Sequence, residues 1–205
     1  NVSELIQLGA QRPKAPAPDQ LELRFSDKAI AELDALRTHY PTEKACILPG
    51  LWIAQREYDG YLSPAAIAEV AHRLSRSYAE VEGVATFYSM YTTAHQPGRH
   101  MIEVCTCLSC HMCGAYRIAD YLEAKLGVKL GETTPDGVFT IHEVECLDAC
   151  DRAPVLQVGD EYVGPVTEAD IDALLDRLRN EDSSAVVQLA DSIVQVHLRD
   201  TERAK

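Results

Sequence analysis

Apolar residues recur along this chain with two different periods, and the change between them divides it. From Ser26 the spacing is helical. Ser26 can cap a helix start, and Ile30, Leu33 and Leu36 fall on one stripe behind it. A second helical segment covers about 43–58, with Leu48, Leu51 and Trp52 apolar. Pro49 inside it predicts a kink or the true start. Ser63-Pro64 is a cap followed by proline at the first helical position, and Ile67, Val70, Ala71 and Leu74 repeat at helical spacing after it. Residues 78–91 predict one more helix, or two short ones meeting near Gly83. This half reads as a small helical bundle. Residues 1–20 precede it with weak apolar periodicity, and Pro13, Pro16 and Pro18 favour an extended arm.

The period changes at Gln96-Pro97-Gly98. His100 to Cys105 predicts a strand with Met101, Ile102 and Val104 apolar. Residues 110–126 predict a helix through Ile118, Leu122 and Leu126, with Lys125 in its last turn and Gly127 placed to end it. Thr134-Pro135-Asp136-Gly137 is a turn signal, and Val138 to Glu145 a strand. Val155 to Val158 and Glu161 to Val163 flank Gly159-Asp160 as a hairpin. Thr167 caps a final helix whose buried face is Ile171, Leu174, Leu175 and Leu178. The order strand, helix, strand, strand, strand, helix predicts a small α/β layer. The expected organisation is α+β: an arm (1–20), a helical bundle (21–95), a sheet-containing domain (96–180) and a charged tail (181–205) with one apolar stretch, Val186 to Leu198.

Composition narrows the partners. The 205 residues are 46% hydrophobic, enough for one sizeable core or two small domains. Nineteen Lys and Arg against 32 Asp and Glu leave a net charge of −13, a surface that repels phosphate backbones and argues against nucleic-acid binding. No apolar run approaches the roughly 20 residues that cross a bilayer. The first twenty residues lack the long apolar core of a secretory signal. A soluble protein in a reducing compartment is expected.

Seven cysteines form an odd set in a chain that is not a small secreted domain, so a disulfide framework is not expected. Four of them have a pattern. Cys105 and Cys110 are separated by four residues, Cys146 and Cys150 by three, and each pair follows a predicted strand end. Loops at one edge of a sheet can bring all four together. Four soft thiolates suit an iron–sulfur centre such as a [2Fe–2S] cluster. Structural zinc also accepts four cysteines, usually in tighter pairs, and stays open on spacing alone. A helix beginning near Cys110 would direct its N-terminal amides at the negative charge of such a centre. From Glu143 onward fifteen acidic residues face six basic ones, and Glu145, Asp148 and Asp151 bracket the second pair. That charge disfavours an added electron and predicts a low potential. The same residues also read simply as solvated surface charge.

The remaining cysteines and histidines have blander readings. Cys107 with Cys110, and Cys110 with Cys113, are C-x-x-C pairs, so a thioredoxin-type dithiol is an alternative. It leaves Cys146 and Cys150 unexplained. Cys107 and Cys113 are expected as bystanders near the centre, and Cys46 as a buried apolar filler. His111 and His142 have the chemistry of Rieske-type ligands, but a full cysteine set removes the need. They are expected on the surface or beside the centre. No G-x-G-x-x-G, P-loop or nucleophile elbow occurs, so no catalytic residue and no nucleotide or flavin site is expected on this chain. An electron relay is expected, with hydride chemistry supplied by another chain.

The runs VEGVATFYSMY (81–91), VCTCLSC (104–110) and VECLDACDRAPVLQVGD (144–160) closely resemble a known family. It is the small thioredoxin-like ferredoxin component of the NADH-dehydrogenase module of NADH-quinone oxidoreductase, respiratory complex I. LSPAAIAEVA (62–71) and TTPDGVFTIHEVEC (133–146) extend the resemblance over about Phe25 to Leu178. The resemblance implies an N-terminal helical bundle and a C-terminal thioredoxin-like domain. It also implies one [2Fe–2S] cluster on a C-x4-C and a C-x3-C pair, here Cys105, Cys110, Cys146 and Cys150. It implies docking on a larger flavoprotein that binds FMN and NADH, among other complex I subunits. The cluster then lies off the main electron path, holding one electron while hydride chemistry is split into single-electron steps. A peripheral place on the cytoplasmic side of the inner membrane follows, or the matrix side in a mitochondrion.

Two departures from the family stand out: the thiol in His111-Met112-Cys113 after Cys110, and the length of the tail after Asn180. Relatives also serve NAD-linked hydrogenases and formate dehydrogenases, so a diaphorase subunit of such an enzyme is the alternative host. A zinc-stabilised scaffold without redox function is the alternative from another class. Thioredoxin-like folds often carry a cis proline before a central strand. Pro154 is the position to inspect, against a base rate of about 5–6% for X–Pro bonds. Trp52, Phe87, Tyr88 and Tyr91 are candidates for packing on the partner, as is the proline-rich arm at 11–18.

Overall fold

The computed structural model describes residues 16, 21 and 23–199. The expected arm, apart from Pro16, and the chain beyond Arg199 lie outside the described residues. Two compact units divide the rest: the chain up to Thr93 together with His197–Arg199 in one, and Ala94–Val196 in the other.

The first unit contains helices α1 (Asp27–Arg37), α2 (Ile47–Glu57), α3 (Pro64–Arg73) and α4 (Tyr78–Phe87). Serine hydroxyls start three of them: Ser26 accepts from the Ala29 amide, Ser63 from Ala66 and Ser77 from Glu80. Each satisfies one of the orphan donors of a first turn. The second helix begins at Ile47 rather than near residue 43. Pro49 therefore sits in its first turn, where the missing N–H breaks no intrahelical bond. Helix α4 runs unbroken through Gly83.

Leu33, Leu36, Leu51, Ile53, Val70 and Leu74 fill the core of this unit. One buried carboxylate lies among them. Glu69, fully buried, accepts from the Arg24 amide at 2.7 Å, the Phe25 amide at 3.0 Å and the Tyr58 hydroxyl at 2.6 Å. The Arg73 guanidinium lies 2.6 Å away. A buried charge with this many donors is compensated. The aromatic residues considered for a partner divide into two sets. Trp52 and Tyr91 are buried, their rings 5.2 Å apart, and the Tyr91 hydroxyl donates to the Leu48 carbonyl. Phe87 and Tyr88 are exposed.

The second unit is built on a four-stranded sheet in the order β2-β1-β3-β4. Its strands are β1 (His100–Cys105), β2 (Phe139–Val144), β3 (Leu156–Val158) and β4 (Glu161–Val163). Strands β1 and β2 are parallel; β3 is antiparallel to both β1 and β4. The parallel connection crosses over through two helices, α5 (Leu108–Met112) and α6 (Ala115–Leu126), where a single helix over 110–126 is expected. Gly114 separates them with φ of 93°, a left-handed conformation that costs glycine nothing. Helix α7 (Glu168–Arg179) begins with a Thr167–Asp170 capping box. One face of the sheet, through Ile102, Val104, Phe139, Ile141, Leu156 and Val158, packs on Ile118 and Leu122 of α6 and on Ile171, Leu174 and Leu175 of α7.

The apolar stretch of the expected tail is helical, in α8 (Ala185–Arg199). Ala185 joins the same core, and its amide donates to the Arg99 carbonyl. The Ala153–Pro154 bond is cis, as is Gly164–Pro165. A helical bundle followed by a sheet with helices on it makes this an α+β chain, as the sequence predicts.

Candidate metal centre

Parallel pairing explains where the cysteines gather. Strands β1 and β2 run side by side with Cys105 opposite Val144, so the chain leaves both strands at the same end of the sheet. The Thr106 amide donates to the Val144 carbonyl at 3.0 Å and carries the pairing one step further. Cys105 ends β1, and Cys110 lies in the short helix that follows. Cys146 stands two residues past β2, and Cys150 opens a 3-10 turn that ends at Arg152. A backbone bond from the Cys105 amide to the Val155 carbonyl ties the segment after that turn to the same place.

The two pairs differ in exposure. Cys105 and Cys110 are buried at 2% and 1%, packed with Ala115 and Val155 and flanked by Leu147, Ala149 and Ala153. Cys146 and Cys150 are exposed. The Cys105 and Cys110 side chains pack in the same cluster, and the Cys105 thiol points to the Glu145 carbonyl at 3.9 Å. Burial pushes the Cys110 thiol up to about 11, with Cys105 and Cys150 adding to the rise. The Asp148 amide donates to the Cys146 sulfur at 3.3 Å, from a residue with φ of 53°.

Cys107 occupies the N-cap position of α5, with its thiol near that of Cys146. The Leu108 amide lowers its pKa most, yet burial together with Cys146 and Cys105 outweighs it, so the thiol is raised. Cys107 and Cys146 each stand two residues past the end of one of two parallel strands.

The remaining candidates are accounted for. Cys113 is exposed, and Cys46 is buried in the first unit. His111 is exposed, its ring edge-on to Tyr116 at 5.2 Å. Burial lowers the pKa of His142, with Glu143 opposing the shift. Glu145, Asp148 and Asp151 are all exposed, which favours their reading as solvated charges. Leu108 and Met112 on α5 are strongly exposed apolar residues beside Cys110.

This donor set fits a two-iron centre. Such a cluster takes two thiolates on each iron, so it asks for pairs of cysteines rather than four around one point. Two of the proposed thiols, Cys105 and Cys110, pack together, and Cys146 and Cys150 follow the end of the neighbouring parallel strand. Among the described residues no three His, Cys, Asp or Glu side chains are grouped so as to hold a single metal ion. No helix among the described residues is long and apolar enough to cross a membrane.

Comparison with known proteins agrees with the donor chemistry. Residues 33–179 match the thioredoxin-like [2Fe-2S] ferredoxin family. An NADH-quinone oxidoreductase subunit of Rhizobium meliloti (strain 1021) is 42% identical over 160 residues, covering 78% of this chain and 94% of the relative. NADH-quinone oxidoreductase subunit 2 of Thermus thermophilus is 46% identical over 158 residues, 76% of this chain and 86% of the relative. Both relatives are subunits of an oxidoreductase. A chain of an air-oxidized NAD+-reducing [NiFe]-hydrogenase shares the fold at a TM-score of 0.56 and 24% identity, over 64% of this chain and 23% of that longer one. By its match over residues 33–179 and its relatives, this chain belongs to the thioredoxin-like [2Fe-2S] ferredoxin family.

Proposed function

We propose that this chain is the small ferredoxin component of an NADH-quinone oxidoreductase, and that Cys105, Cys110, Cys146 and Cys150 hold its [2Fe–2S] cluster. One observation carries the ligand assignment: the parallel pairing of β1 and β2 delivers both cysteine loops to one end of the sheet. The names of the relatives support the host complex. The cluster, when bound, supplies a one-electron carrier. Cys105 and Cys110 bring two thiolates from an apolar, water-excluding pocket, and Cys146 and Cys150 bring two from the solvent side. The Asp148 amide offers a hydrogen bond to the Cys146 sulfur, the kind of donor that stabilises negative charge on a ligand. In this reading the chain exchanges single electrons with the FMN of a flavoprotein subunit that also binds NADH. Leu108 and Met112 lie next to Cys110 on the side open to such a contact. The assembled module sits at the cytoplasmic side of the inner membrane, or the matrix side in a mitochondrion, held there by its partners.

The test begins with anaerobic purification or reconstitution, followed by iron and sulfide analysis, visible absorption and EPR after dithionite. Two irons and two sulfides per chain with a reduced-state EPR signal are expected. A colourless chain containing zinc overturns the cluster assignment. Isolation of the native complex then tests the host. Quinone-module subunits are expected alongside a flavoprotein, whereas a hydrogenase or molybdenum-enzyme component assigns the chain to the other class of host.

A further inference from the structure

The fifth thiol beside the proposed ligands has no task in electron transfer. The last paired residues are Cys105 and Val144, and the Thr106 amide still donates to the Val144 carbonyl, so Cys107 and Cys146 each lie two residues beyond the same end of two neighbouring strands. Segments leaving neighbouring strands start about 4.8 Å apart, and a disulfide accepts roughly 4.4–6.8 Å between Cα atoms. Cys107 packs against Cys105, Cys110, Ala115 and Val155, and the Cys146 thiol lies near it. Cys107 is partly exposed and Cys146 exposed, whereas the other adjacent pair, Cys105 and Cys110, is buried. A dissolved oxidant therefore meets Cys107 and Cys146 first, since access governs thiol–disulfide exchange.

We infer that in the cluster-free chain Cys107 and Cys146 form a reversible disulfide, which withholds Cys146 from iron until it is reduced. The oxidant is a low-molecular-weight disulfide of the glutathione class. One of the two cysteines, as thiolate, attacks a sulfur of the small disulfide and releases one small thiol. The other then displaces the second small thiol from the mixed disulfide. One protein S–S bond forms, one small-molecule S–S bond breaks, and two small thiols carry away the two protons and two electrons. Reduction by the same small thiol, or by a dithiol, runs the sequence backwards. The disulfide itself stands on the shared strand end and the nearness of the two thiols. Its effect on cluster loading rests on the ligand reading given above.

The experiment uses the full chain, freed of metal anaerobically and exposed to glutathione disulfide. Free thiols are alkylated and the chain is digested for mass spectrometry. The expected product is a cross-linked peptide joining Cys107 to Cys146, absent in Cys107→Ser and lost after dithiothreitol. A map in which the oxidised chain joins Cys105 to Cys110, or Cys146 to Cys150, with no Cys107–Cys146 link overturns the inference. Iron and sulfide are then supplied to oxidised and reduced samples. Loading of the unsubstituted chain is expected to need prior reduction, while Cys107→Ser loads equally from both. Equal dependence on reduction in both chains overturns the assembly effect. Should neither chain take up a cluster under any condition, the ligand reading fails while the peptide map still decides the disulfide.

Discussion

At the residue scale, the proposed centre divides the seven cysteines into groups that substitution separates. Cys105→Ser, Cys110→Ser and the double substitution Cys146→Ser/Cys150→Ser exchange soft sulfur for hard oxygen. Each is expected to abolish the dithionite-reduced EPR signal or displace it strongly, and a normal signal in the double variant refutes the assignment. Cys46→Ala, buried in the first unit, is expected to leave the spectrum unchanged. The most consequential buried charge lies elsewhere. Glu69→Ala strips the acceptor from the Arg24 and Phe25 amides, the Tyr58 hydroxyl and Arg73. A loss of about 3–5 kcal/mol is expected, read from urea unfolding. Nothing in the sequence distinguishes Glu69 from other helical glutamates, because its four donors come from three separate segments. The cysteine pairs are legible for the opposite reason: spacing and a strand end are local. The nearness of Cys107 and Cys146 is not local, since it exists only once the strands are known to be parallel and in register.

At the scale of elements, boundaries written in a few adjacent residues are the readable ones. Ser63-Pro64 and the Thr167–Asp170 box mark helix starts where the structure has them. Ser63→Ala is expected to cost about 1 kcal/mol, seen as a lower urea midpoint. The division of 108–126 into α5 and α6 escapes the sequence, because helical apolar spacing continues on both sides of Gly114. The start of α2 escapes it too, since Pro49 is as compatible with a first turn as with a kink. Gly98 shows how a loop residue sets an element. A Cβ there would stand 2.7 Å from the Phe139 backbone carbon, and its amide donates to the Thr140 hydroxyl at 2.7 Å. Gly98→Ala is therefore expected to push the chain off β2 and cost on the order of 2 kcal/mol or more, checked by thermal unfolding of the cluster-free chain.

At the scale of the whole molecule, acid is expected to weaken the fold. Burial lowers the pKa of His100 and His142 below the ordinary 6.5. The unfolded chain then binds protons before the folded one does, so stability falls as the pH drops through that value. Asp136, held low by the Thr134 hydroxyl and the Val138 amide, extends the loss to still lower pH. Glu103, raised by burial, acts in the opposite sense and offsets part of it. A lower urea midpoint at about pH 5.5 than at about pH 7.5 is the expected result for the cluster-free chain; equal midpoints contradict it. Partnership is the other property of the whole. Alone the chain is expected not to oxidise NADH, and beside the flavoprotein proposed above its centre is expected to become reducible by NADH. Deleting residues 1–20 tests the arm: weaker co-purification with the flavoprotein supports docking, and unchanged binding makes the arm an unattached terminus. The α+β class was legible because the change of apolar period at residues 96–98 is abrupt. Helix α8 was hidden behind the charge of its surroundings.

The brevity of α5 has a readable outcome in amide hydrogen exchange. Five residues, cut off from α6 by Gly114, are too few for a helix to persist on its own hydrogen bonds. Its order comes from the packing of Cys110 on Ala115 and Val155 and, in the proposed reading, from the cluster that Cys110 would hold. Amides of residues 108–113 are therefore expected to exchange quickly in the empty chain and to slow sharply on loading, while those of α6 change little. This segment would then act as a local-folding reporter, registering occupancy of the centre without any spectroscopic signal from iron.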